Sequence, residues 1–151
     1  MSRKVAREIA FKLVFATNFQ DEENSIDETT ETLIKELDKA NEVNKEDLEY
    51  IKSISKGVSE KVSELDEAIS KHLKGWKMER ICKTDLAILR LAIYEILYRD
   101  DIPYKVSVNE AVELAKSFGE DSSPSFINLL PLKIKGPDTP KWVNIISPCS
   151  L

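Results

Sequence analysis

Apolar residues recur along this chain with the spacing of helices rather than strands. Between residues 3 and 19, Val5, Ala6, Ile9, Ala10, Leu13 and Ala16 fall on one face when each residue turns the chain by about 100°. The pattern predicts a first helix from Arg3 to Phe19, ended by the acidic stretch Asp21-Glu22-Glu23-Asn24. Ser25, with Glu28 three residues on, is a capping box that opens a second helix through Ile26, Leu33, Ile34 and Leu37. Asn44 caps a third, with Leu48, Ile51, Ile54, Val58 and Val62 on its stripe. Ser63-Glu64-Leu65-Asp66 reads as a fresh start for a helix through Leu65, Ile69 and Leu73, which Gly75 ends before Trp76. From Thr84 to Arg99 the chain is apolar on most sides, as a central core helix is. Ser107-Val108-Asn109-Glu110 is another capping box, opening a helix that Gly119 closes. Ser123-Pro124 opens the last, carrying Phe126 and Ile127. No segment before residue 128 alternates with period two. The expected fold is all-α, with about seven helices packed helix on helix.

The 151 residues suit one domain, expected over 1–135. Pro131 falls where the last helix should continue, and Gly136-Pro137, Pro140 and Pro148 interrupt the remaining residues, so 136–151 reads as an irregular tail. No apolar run approaches the roughly 18 residues of a membrane span, and Met1-Ser2-Arg3-Lys4 leads into an amphipathic pattern, not a signal core. A cytoplasmic protein is expected.

Catalytic hardware is sparse. Cys82 and Cys149 lie too far apart for a zinc spacing, and Cys82 reads as a small buried residue. His72 is the single histidine, and the four glycines form no phosphate loop. The expectation is a protein that is not an enzyme and uses no cofactor or metal.

Net charge is −5, yet it is unevenly spread. Residues 1–20 hold Arg3, Lys4, Arg7 and Lys12 against Glu8, a net of +3. Residues 21–50 hold twelve acids against Lys35, Lys39 and Lys45, a net of −9. A second basic run holds Lys71, Lys74, Lys77, Arg80 and Lys83. Screening confines each charge's reach to about 8–10 Å, so a basic patch attracts phosphates even on an acidic protein.

On the first helix, Lys4, Arg7, Phe11, Phe15 and Asn18 lie close together, opposite the Ile9–Leu13 stripe. Cations beside flat rings are what single-stranded RNA requires, for its phosphates and its unstacked bases. Burial of both faces is the competing reading: it is favoured for Phe11 and evenly balanced for Phe15. Solvated charge is the plainer reading of the Lys71–Lys83 run. Phe126, near a helix N-terminus with Ser122 and Ser123, either joins an anion-binding end or staples the last helix to the core.

Four motifs occur in order: Ala6-Arg7-Glu8-x-Ala10, Leu89-Arg90-Leu91-Ala92-Ile93-Tyr94-Glu95-Ile96-Leu97, Ile102 through Lys116, and Phe126-Ile127-Asn128. Together they closely resemble the bacterial NusB family over residues 1 to about 128, the long central pair being the most specific. The resemblance implies two packed helical bundles and a transcription antitermination factor. Such a factor binds single-stranded boxA RNA in nascent ribosomal RNA transcripts, together with the ribosomal protein NusE, and joins RNA polymerase. The implied RNA-binding residues are Arg3, Lys4, Arg7, with Lys12 beside them, then Phe15, Ser122 and Phe126; Asp85 falls in a region that meets NusE. Some relatives pair with themselves, which adds a homodimer to the partners considered. The alternative is a helical protein–protein module without direct RNA binding. One departure stands out: the family continues Phe-x-Asn with Gly-Val-Leu, whereas here Leu129-Leu130-Pro131-Leu132 occupies that place. An altered reading frame and a genuine variant both fit that change.

Overall fold

The structure, a computed structural model, describes residues 2–18, 31–36, 39, 44–73 and 77–133. The Ser25–Glu28 capping box, Gly75, Trp76 and the tail 136–151 lie outside them. The described residues contain helices and no strand, as the apolar period requires. They are α1 (Arg3–Asn18), a helical stretch at 31–36, α2 (Lys45–Lys71), a 3₁₀ turn (Met78–Arg80), α3 (Lys83–Tyr98), α4 (Tyr104–Phe118) and α5 (Ser123–Lys133). Among them, no helix is long and apolar enough to cross a membrane. The chain divides into two compact units, Met1–Glu60 and Lys61–Leu151.

In the first unit, α1 starts at Ser2, whose hydroxyl and carbonyl oxygens accept from the N–H groups of Val5 and Ala6. The core face of α1 is not the expected one. Ala6, Arg7, Ala10, Phe11, Leu13 and Val14 are buried, whereas Val5 is 40% exposed. The buried arc is rotated by roughly one residue's turn, about 100°, from the Val5–Ala16 stripe. The reason is area: that rotation buries the Phe11 ring, Val14 and the apolar stem of Arg7, more carbon than Val5 and Ala16 offer.

Asn44 caps α2 as expected, its Oδ1 accepting the Asp47 N–H at 2.8 Å. The break expected at Ser63 is absent, and α2 runs unbroken for 27 residues. Its apolar positions 48, 51, 54, 58, 62, 65 and 69 keep one phase through the supposed junction, so one helix carries them all on its inner side. Ser63 and Glu64 are exposed on its outer side, where a capping sequence has no free N–H to cap.

In the second unit, α3, α4 and α5 pack against one another. Ala87 to Ile93 of α3 are all buried. Arg90 on α3 clasps Asp66 of α2, Nε donating at 2.8 Å and an outer nitrogen at 2.7 Å. The capping box at Ser107 is corrected as well. α4 begins at Tyr104 after Pro103, whose carbonyl accepts from Val106 and Ser107, and Ser107 sits buried inside the helix. A helix start needs no N–H from its capping residue, so Pro103 opens the helix four residues early. α5 continues two residues beyond Pro131. A proline removes one helical hydrogen bond and crowds the turn behind it, while its own φ remains helical.

Candidate nucleic-acid interface

Helix α1 sorts its charges by angle. Lys4, Lys12 and Phe15 are exposed, and Phe15 keeps 38% of its surface open. At about 100° per residue these three, with Glu8 and Val5, form one outward ridge. Phe11 is buried one turn before Phe15, with the ring centroids 6.4 Å apart and tilted by 48°. A buried ring thus supports an exposed one in a favourable tilted geometry.

Arg7, expected on the exposed face, is corrected to the interior at 3% exposure. Its guanidinium lies 5.4 Å from the centroid of Tyr50, a ring that is itself buried. Arg3 faces the same ring at 4.6 Å, and its Nε donates to Asp47 Oδ1 at 2.9 Å. Asp47 and Tyr50 are three residues apart on α2, so one helix face presents both a carboxylate and a ring to the arginines. Neither residue was singled out in the sequence. The signal was present in the Asn44 cap, which fixes the phase of α2 and sets positions 47 and 50 side by side.

A second group of expected residues gathers in the other unit, where α4 ends and α5 begins. Gly119 closes α4 with φ −94° and ψ −174°, a conformation open to any residue. Glycine is needed there for space: a Cβ would lie 2.7 Å from Ser123 Cβ and 2.8 Å from the Ala115 carbonyl oxygen. The close approach lets the Ser123 hydroxyl accept the Glu120 N–H at 3.0 Å. Ser122 is exposed, its carbonyl accepting the Phe126 N–H at 3.3 Å, and Phe126 is half-buried in the first turn of α5.

Asp85, in the first turn of α3, belongs to this junction. It is 7% exposed, and its Oδ1 has no hydrogen-bond partner. Burial raises its pKa; a hydrogen bond from Ser123 opposes the rise and the charge of Glu120 adds to it. Cys82, expected to be buried, is an exposed free thiol at the N-cap of α3. The cap position lies just outside the helix, where a side chain faces water. Desolvation raises the thiol's pKa, and Glu120 and Asp85 raise it further. That direction makes a poor nucleophile.

Of the second basic run, Lys71 pairs with Glu67 at 3.2 Å, Lys77, Arg80 and Lys83 are exposed, and Lys74 lies outside the described residues. Among the described residues no group of three His, Cys, Asp or Glu side chains is placed to hold a metal ion.

Known proteins resemble this chain in sequence and in fold. The model described as the NusB family matches residues 4–129. The chain belongs to the NusB family. The matched span ends one residue after Asn128, where the sequence leaves the family's Gly-Val-Leu pattern. The transcription antitermination protein NusB of Acetivibrio thermocellus is 48% identical over 128 residues, covering 85% of this chain and 84% of its own. That of Ruminiclostridium cellulolyticum is 44% identical over 141 residues, covering 93% of each. Among solved structures, T. maritima NusB superposes with a TM-score of 0.76 at 30% identity, over 96% of this chain and 98% of the other. This NusB-family chain therefore shares both sequence and all-α fold with those proteins.

Proposed function

We propose that this chain is a transcription antitermination factor that binds single-stranded boxA RNA of nascent ribosomal RNA transcripts together with NusE, and so keeps RNA polymerase processive. The observation that carries the reading is the ridge on α1, where exposed Lys4 and Lys12 flank an exposed Phe15 braced by Phe11. Cations take the phosphates and the ring takes an unstacked base, a division of labour suited to single strands. Ser122 and Phe126 form a second contact, at the N-terminus of α5, where helix N–H groups favour phosphate oxygens. Arg3 and Arg7 act from behind, setting the α1 face through Tyr50. Asp85 is the proposed NusE contact: a buried carboxylate oxygen without a partner suits a donor from a second protein. Family membership supports the reading, as does the name the curated relatives carry.

The test is a fluorescence anisotropy titration of a labelled boxA-type RNA against a scrambled RNA of equal length, with and without NusE. Tighter binding to boxA, enhanced by NusE, is the expected result. Equal binding of the two RNAs in both conditions would overturn the boxA assignment. NusE binding without any RNA binding would instead mark a protein–protein module.

A further inference from the structure

The α1–α2 contact holds a carboxylate where an RNA-binding helix would be expected to keep its arginine free. Asp47 is 4% exposed, and its backbone N–H is pinned by the Asn44 cap. Its side chain therefore has little room to swing aside. It engages Nε of Arg3 at 2.9 Å while the guanidinium rests 4.6 Å from the Tyr50 centroid. Two partners of different kinds, an anion and a ring, thus hold the same cation. Arg3 keeps 37% of its side-chain surface open.

We propose that Asp47 is an affinity-limiting residue for the RNA interface: its carboxylate neutralises Arg3 and withdraws it from the cations available to phosphate. The inference rests on the RNA reading above. A paired arginine presents a dipole rather than a charge to a phosphate several ångströms away, and its attraction falls accordingly. Sequence-independent binding to nucleic acid is almost wholly electrostatic, so withdrawing one cation lowers it directly. The setting points the same way. In sequence, residues 21–50 carry a net −9 against the +3 of residues 1–20, so few cations in this stretch make up for the loss of one. Lys4 and Lys12 then remain the exposed cations of the α1 ridge, with Phe15 between them in angle, and an RNA must stack as well as neutralise.

The test uses the full chain and two labelled single strands, a boxA-type RNA and oligouridylate, titrated between about 50 and 200 mM salt. Asp47→Asn keeps the shape and removes the charge. It should tighten both RNAs by on the order of threefold to tenfold at low salt. It should also steepen the fall of log affinity with log salt by about 0.7, the value of one added phosphate contact on a single strand. Arg3→Ala alone can weaken binding through the α1 face it sets but should leave the salt slope within about 0.2 of wild type, and in the Asp47→Asn background it should abolish the gain. Arg3→Ala also serves if Asp47→Asn fails to fold, since an arginine that grips phosphate would lose the same slope of about 0.7 on truncation. Unchanged or weaker RNA binding by a folded Asp47→Asn protein, or a gain that survives Arg3→Ala, would overturn the proposal. If the wild-type protein binds neither RNA, the RNA reading itself fails and this inference with it, a result distinct from wild-type binding that Asp47→Asn leaves unaltered.

Discussion

The α1–α2 contact and the α4–α5 junction treat buried charge in opposite ways. At the first, two arginines meet a ring, and one of them also meets a carboxylate, so that cations entering the interior find partners inside the chain. At the second, a carboxylate in the first turn of α3 is buried with one oxygen unpaired and its pKa raised. Satisfied buried charge fixes a framework; unsatisfied buried charge costs stability. The residues that resemble the family's ligand contacts thus divide by burial: Arg7 is buried and Arg3 is engaged by Asp47 and Tyr50, whereas Lys4, Lys12, Phe15 and Ser122 are exposed, Phe126 is half-buried and Asp85 is buried.

The largest expected effect breaks the paired side. Arg7→Ala removes a buried guanidinium together with its packed stem, and should cost about 2–4 kcal/mol in chemical denaturation. A loss below about 0.5 kcal/mol would return Arg7 to the surface set. Next comes the junction. Gly119→Ala places a methyl group 2.7 Å from Ser123 Cβ and should lower stability by about 1–3 kcal/mol, as overpacking does. A neutral result would show that α5 shifts freely there. Phe15→Ala should lower stability by no more than about 1–2 kcal/mol, because over a third of the ring is already open, and weaken RNA binding by about tenfold. Equal affinity would remove the ring from the interface.

The smallest effect sharpens the contrast most. Asp85 has its folded-state pKa raised by burial, so the folded chain holds this proton more tightly than the unfolded chain does. The stability attached to this group is therefore full below the ordinary carboxylate range and lost as pH rises through the raised value. Asp85→Asn should remove that pH dependence and leave the protein at neutral pH as stable as wild type or more so, by under about 1 kcal/mol. It should weaken NusE binding at the same time. A destabilised variant would mean that the carboxylate is already satisfied.

Much of the fold was legible because apolar phase is a property of the chain. The ends of α1 and the Asn44 cap were readable to within a residue. Ser63 misled because a serine followed by acids looks the same on the outside of a helix as at its start, and only the unbroken stripe distinguishes the two. The Ser107 box misled because it looks like a stronger helix start than Pro103, four residues earlier, where the helix is capped. The site was half legible. Angles alone grouped Lys4 with Phe15, and Arg7 with Phe11, into one face. They could not tell where on that face the core boundary runs, because an arginine stem can be buried like a hydrocarbon. The Asp47–Tyr50 pair stayed hidden because its meaning comes from residues more than forty positions away.

Helix α2 also has a consequence for how such a protein can be divided and recombined. It is continuous over 27 residues, about 40 Å at 1.5 Å per residue, and the boundary between the two compact units falls within it at Glu60 and Lys61. A gene cut at that boundary severs a helix in mid-turn and leaves four N–H and four C=O groups without their partners. Neither unit is a ready-made module. A fusion or split that preserves this fold keeps Lys45–Lys71 whole.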